Sequence, residues 1–167
     1  MCRRDRTATP ALGGALHVTG TLVYSGGLVS GNRAYRGGGV YVNGGQATLT
    51  GVDIFTNTAI NHGGGLYSKG ALTVSATAVI SNAATTSARA GGVYLDGGTA
   101  QFSDSAIGEN TASSVGGGIY ALNSAVLTLT RAAIYSNTAS SGGGGLCLEA
   151  GTGLGVTSTF FLYTSPS

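Results

Sequence analysis

Charge is what this chain of 167 residues has least of: Lys, Arg, Asp and Glu together supply 8% of it, and the formal net charge is +2. So small an excess excludes an electrostatic nucleic-acid binder. The only clustered basic residues are Arg3, Arg4 and Arg6 at the very start. Proline is nearly absent, at 2 residues, and the glycines come in clusters rather than at every third position, which excludes collagen. Two cysteines, Cys2 and Cys147, stand almost a chain length apart with no metal-ligand spacing, and they leave the redox compartment open. No apolar run reaches the length of a membrane helix. The basic start is followed by no apolar h-region, because residues 11–18 are interrupted by Gly13, Gly14 and His17. The reading is therefore of a chain without a visible signal peptide, either a fragment or a gene model that starts inside a longer exported protein.

What is abundant is glycine, with 31 residues, and a hydrophobic share of 42% that argues against disorder. Both are arranged periodically. A Gly-Gly-apolar-Tyr word recurs as Gly38-Gly39-Val40-Tyr41, Gly64-Gly65-Leu66-Tyr67, Gly91-Gly92-Val93-Tyr94 and Gly117-Gly118-Ile119-Tyr120. Gly144-Gly145-Leu146-Cys147 is a fifth copy, and Gly13-Gly14-Ala15-Leu16 reads as a degenerate earlier one. From Gly39 onward the copies are spaced 26, 27, 26 and 27 residues apart. A second word, apolar-x-x-Asn, keeps pace and ends at Asn32, Asn57, Asn82, Asn110 and Asn137. Between the words lie alternating segments such as Ala47-Thr48-Leu49-Thr50 and Leu127-Thr128-Leu129-Thr130, aligned without a gap when counted from the asparagine.

Alternation with period two places successive residues on opposite faces of a strand. One such unit cannot bury its inward face alone, so neighbouring units must stack. The pattern predicts an all-β, right-handed parallel β-helix, a solenoid of about five 26–27-residue coils with three strands each and a degenerate sixth. Its inward columns would be Leu49, Val74, Phe102 and Leu129; Ile54, Val79, Ile107 and Ile134; and Val40, Leu66, Val93, Ile119 and Leu146. Glycine pairs are expected to form corners, where positive φ would be costly for other residues. The chain divides into an irregular segment at 1–12, coils at 13–150 and a degenerate or truncated coil at 151–167, where Thr164 replaces the expected asparagine.

These two words resemble the GGA[ILV] and FxxN repeats of the polymorphic outer-membrane proteins, and more widely the pectate-lyase-like superfamily. Val or Ile stands here where that family has phenylalanine, in the same core role. The resemblance covers roughly residues 13–150. It implies a right-handed parallel β-helix with an asparagine stack at one corner, in an adhesin or exported passenger. The 167 residues hold no segment that reads as the family's membrane barrel.

Several columns carry side chains other than core. Asn32, Asn57, Asn82, Asn110 and Asn137 read as structural, since asparagine tolerates the left-handed region and stacked amides bond along a rod. Tyr41, Tyr67, Tyr94 and Tyr120 follow an inward residue and should point outward, as a stabilising ladder or a surface for sugar rings or partner side chains. Arg36, His62 and Arg89, continued by Val115 and Gly142, form a basic column that would suit an acidic glycan. It adjoins the longest corner, residues 83–90. Lys69 with Asp96 and Asp104 with Arg131 fall one rung apart and should attract weakly.

No catalytic constellation emerges. Asp53, Asp96, Asp104, Glu109 and Glu149 do not share one column, and two facing carboxylates are what glycoside hydrolysis requires. No cofactor or metal set is read. The preferred function is a non-enzymatic β-helix segment of an extracellular or cell-surface protein, acting as an adhesion scaffold toward glycans or host surface proteins. The alternative is a polysaccharide-binding or polysaccharide-degrading β-helix, and a remote one is an ice-binding solenoid through the Thr48/Thr50, Thr73/Ser75 and Thr128/Thr130 array. Absent end caps would favour end-to-end self-association.

Overall fold

Neighbouring coils pair in parallel and in register along the stack. The structure, a computed structural model, describes residues 11–162, and among them it contains strands, turns and bends but no helix. The chain is an all-β parallel solenoid of about five turns. Cys2, Thr164 and the basic start lie outside the described residues.

Three sheets run along the solenoid. The first, here the tyrosine sheet, stacks Leu16–Val18, Val40–Val42, Leu66–Ser68, Val93–Asp96, Ile119–Leu122 and Leu146–Leu148. The third, the alanine sheet, stacks Arg33–Arg36, Thr58–His62, Ala83–Ala84, Thr111–Ala112 and Thr138–Ala139. Between them the largest sheet is bent. It starts with two long strands, Thr21–Ser30 and Gln46–Phe55, and continues as paired arms, for example Ala71–Ser75 with Ala78–Ile80. Most coils thus hold four straight stretches rather than the three expected. The bend falls on one column, Gly26, Gly51, Ala76, Asp104, Arg131 and Ser158, every member of which has positive φ. A left-handed residue turns the chain without interrupting the ladder for more than one position.

The expected inward columns form one core. Leu49, Val74, Phe102 and Leu129 are at most 1% exposed, as are Ile54, Val79, Ile107 and Ile134. Val40, Leu66, Val93 and Ile119 join them, with Leu146 partly buried at the end of the row. The continuation at 151–162 keeps the register, Leu154 beside Leu127 and Val156 beside Leu129.

The glycine words behave differently from the expectation. Positive φ belongs to the residue before each pair, at Gly37, Gly63, Ala90, Gly116 and Gly143. The pair itself is required by close approach. A Cβ on Gly64 would sit 2.5 Å from the Ala83 carbonyl oxygen, and one on Gly65 would sit 3.0 Å from both the Asn82 amide nitrogen and the Gly92 carbonyl. The register also moves the degenerate first copy by one residue. Leu16 lies beside Val40, and His17 beside Tyr41, so His17 heads the tyrosine column.

The asparagine corner shows the same division of labour. The left-handed residue precedes the amide, at Gly31, Thr56, Ser81, Glu109 and Ser136, and the asparagines have ordinary φ. Their side chains point inward instead. The backbone N–H of Asn57 donates to Oδ1 of Asn82 at 2.9 Å, and the Asn57 amide donates to the same oxygen at 3.0 Å and to the Val29 carbonyl at 2.8 Å. Asn32, Asn82 and Asn110 bond to the following asparagine in the same way.

Candidate functional site

The most chemically varied part of the surface is the edge where the tyrosine sheet meets the chain that precedes each glycine word. Alternation does turn Tyr41, Tyr67, Tyr94 and Tyr120 away from the main core, yet all four are only between 1% and 4% exposed. They form a second apolar cluster with Ala90 buried among them and Leu12, Val115, Leu122 and Cys147 packed against it. The rings point away from the main core, as expected, and are covered there by other residues. The segment before each glycine pair folds over the rings, and the positive φ at Gly37, Gly63, Ala90 and Gly116 lets it do so. Consecutive rings stack at 4.9, 4.7 and 5.3 Å between centroids, close to the spacing of the parallel strands that carry them.

The basic column lies on this stack, one coil out of step. Arg36 sits over the Tyr67 ring at 5.7 Å, His62 is parallel to the Tyr94 ring at 4.7 Å, and Arg89 sits over the Tyr120 ring at 5.0 Å. Arg36 and His62 are register partners across a β-bulge, and the backbone N–H of Arg89 donates to Nδ1 of His62 at 3.1 Å. The structure thus brings together Arg36, His62, Arg89 and the tyrosines.

Sequence reasoning paired Asp96 with Lys69 but missed that the acids line this edge. Asp96 and Glu149 do share a column, with Leu122 between them: Asp96 is the register partner of Leu122, and the N–H of Glu149 bonds the Ala121 carbonyl. The signal was available in the count from each glycine word, once the tyrosine was included. The hydroxyl of Tyr67 donates to Asp96 at 2.6 Å, and that of Tyr120 donates to Glu149. A two-coil pattern results. Arg36, Tyr67 and Asp96 recur as Arg89, Tyr120 and Glu149, with His62, Tyr94 and Leu122 in the coil between.

Electrostatics follow from these contacts. Burial, helped by the charges of Arg36 and Arg89, lowers the His62 imidazole to about 4, although the Asn61 backbone and Asp96 pull the other way. Burial and the Asp96 hydrogen bond push the Tyr67 phenol up. Burial would raise the Asp96 carboxyl, but the Tyr67 hydroxyl, the Asn123 amide and the Lys69 ammonium outweigh it and hold it below the usual range. Lys69 lies 3.4 Å from Asp96, and Arg89 lies 3.4 Å from Glu149. On the far side of the molecule Arg131 grips Asp104 through two bonds of 2.6 and 2.7 Å.

Two other outward surfaces flank the bend. The array Thr48, Thr73, Gln101 and Thr128 lies on one arm, interrupted by Gln101 and headed by the exposed Val23. Along the bend runs a groove of about 810 Å³ floored by Ala78, Ala106 and Ala133, with Asp104 and Arg131 on its wall and Asp53 and Phe160 toward its ends. Among the described residues no group of three His, Cys, Asp or Glu side chains is placed to hold a metal ion. No helix there is long and apolar enough to cross a membrane. Searches against known protein families, curated proteins and solved structures found no match for this chain.

Proposed function

We propose that this chain is a non-catalytic β-helix segment of an exported or cell-surface protein and serves as an interaction scaffold. One observation carries the reading: the acids of its most chemically varied edge are spent on holding coils together. Asp96 accepts from Tyr67 and Asn123, and Glu149 accepts from Tyr120 and pairs with Arg89. Elsewhere Asp104 is bound by Arg131, and Glu109 accepts from Ser81 at 3.0 Å. Catalysis by carboxylic acids needs one group with a raised pKa beside one that stays ionised. Asp96 and Asp104 are both held low by their partners. The repeat words, similar to those of the polymorphic outer-membrane proteins, support an exported, surface-bound setting. The groove along the bend and the edge over the tyrosines are the surfaces such a scaffold would offer to glycans or surface proteins.

A polysaccharide-degrading reading has one observation in its favour. Asp96 and Glu149 stand two rungs apart, about 10 Å by strand spacing, with the Arg89 guanidinium nearby. That separation is near the upper end for inverting glycosidases. The test is incubation with a panel of acidic and neutral polysaccharides, monitoring unsaturated products and new reducing ends. Binding without product is the expected result. Turnover that Arg89→Ala abolishes would overturn the scaffold reading in favour of an enzyme.

A further inference from the structure

Two buried polar atoms on the basic edge have no hydrogen-bond partner: Nε of Arg36 and Oδ1 of Asn61. Such orphans are uncommon in folded proteins and call for an explanation. Both lie at the same irregularity, the β-bulge at which Arg36 and His62 pair, but only the Arg36 Nε is a donor that an anion could satisfy; the Asn61 oxygen is an acceptor and takes no part in holding one. Bulges re-aim side chains and gather beside binding sites. The charge there is also unanswered. Among the described residues Lys69, Arg89 and Arg131 each have an acidic partner, whereas Arg36 and the exposed Arg33 have none, and of these two only Arg36 lies on the tyrosine stack.

We propose that this edge is an oxyanion-binding site in which Arg36 supplies the charge and His62 a hydrogen-bond donor from Nε2. The ligand is a sulfate, phosphate or carboxylate group. The stacked tyrosines set the geometry. Arg36 rests over Tyr67 and His62 over Tyr94, and those two rings are 4.7 Å apart, so the two donors stand on adjacent shelves of one stack. The tautomer is fixed by the neighbouring coil. Because Nδ1 of His62 accepts the Arg89 N–H, the neutral ring carries its proton on Nε2. Protonation at Nδ1 would break that bond and add a third charge between Arg36 and Arg89, in line with the low pKa of this imidazole. The groups facing His62 are Arg36 from the coil before it and Arg89, Tyr94 and Asp96 from the coil after it. His62 therefore serves as a neutral donor throughout the physiological range, and all the charge comes from Arg36. The site is independent of the scaffold reading, since a small anion tests it without any macromolecular partner.

The experiment is titration of the whole chain with sodium sulfate at constant ionic strength, followed by the His62 ring and Arg36 side-chain resonances. Sulfate keeps its charge between pH 5.5 and 8, so any pH dependence belongs to the protein. Saturable shifts at both residues are expected, with an affinity that is flat over that range. Arg36→Gln should weaken binding about tenfold or more, the usual loss of a charged hydrogen-bond partner. Arg36→Lys, which keeps the charge but not Nε, should recover only part of it. His62→Phe preserves the stack on Tyr94 and should weaken binding severalfold, while Arg131→Gln should leave it unchanged. Acetate and phosphate titrations then rank planar against tetrahedral anions. Linear, unsaturating shifts that Arg36→Gln leaves untouched would overturn the site. So would wild-type binding that strengthens tenfold on acidification, because His62 would then act as a cation rather than a fixed donor.

Discussion

Tyr67 donates its hydroxyl hydrogen to Asp96 in the next coil at 2.6 Å, and this contact joins the apolar tyrosine stack to the charged rim outside it. The ring is buried and its oxygen reaches a carboxylate that also faces Lys69 and Asn123. Hydrogen bonds to charged groups contribute about 1.5–3 kcal/mol. Tyr67→Phe removes this bond and nothing else, so it should cost about 1–2 kcal/mol in urea denaturation and let the Asp96 carboxyl titrate closer to its ordinary value by NMR. A loss below a few tenths of a kcal/mol would show that the rim contributes nothing to coil cohesion.

Removal of one rung from the asparagine ladder should be far more damaging. Asn82→Ala deprives the Asn57 N–H and side-chain amide of their acceptor and takes the side-chain donor from the Ile54 carbonyl, while Asn110 Oδ1 keeps only the backbone N–H of residue 82. These groups are buried, and each unsatisfied one costs about 1–3 kcal/mol. The expected loss is about 3–5 kcal/mol, read from the denaturation midpoint. Asn32→Ala, at a less buried position, should cost less than half as much. Equal losses at the two positions would mean that the ladder acts through composition, not through stacking.

Stability should fall on mild acidification, and His62 should account for much of it. The unfolded imidazole takes up a proton near its ordinary 6.5, but burial and the flanking Arg36 and Arg89 hold the folded one to about 4. The unfolded state therefore binds more protons in that window, so the stability present above 6.5 declines as the pH drops toward 4 and then levels off. Asp96, already held low, contributes its own loss only at still lower pH. Denaturation midpoints at pH 7 and pH 4.5 should differ clearly in the wild type and less in His62→Gln. An unchanged difference in that variant would assign the effect to another group.

Coil architecture was legible in the sequence because the same residues that stack also repeat. Ile54, Val79, Ile107 and Ile134 could be aligned by counting, and the parallel register places them side by side. The bend column was not legible. Only Gly26 and Gly51 signal a left-handed residue there, and Ala76, Asp104, Arg131 and Ser158 adopt that conformation without any compositional mark. Their strain is carried by the packed strands on both sides, which a propensity cannot register. The candidate edge was half legible. Arg36, His62 and Arg89 stood out as a column, but what covers the tyrosines is a chain path, and alternation alone describes only which face a side chain leaves. Asp96 and Glu149 escaped notice for a simpler reason: Leu122 separates them, so the column looks broken until the two-coil pattern is seen.

The asparagine amides all point the same way. In the bonds between amides, Asn32, Asn57, Asn82 and Asn110 each pass a hydrogen to the asparagine of the following coil, whereas the second N–H of Asn57, Asn82, Asn110 and Asn137 goes to a main-chain carbonyl of the preceding one. The row is therefore a vector, and it gives the rod a sense of direction that its backbone bonds, which run both ways between coils, do not. A whole coil can be excised or duplicated between two asparagines without reversing any amide, whereas a partial coil would put an aliphatic or hydroxyl side chain into the row and stop it. Length in this architecture is accordingly a quantised property, added or lost one repeat at a time.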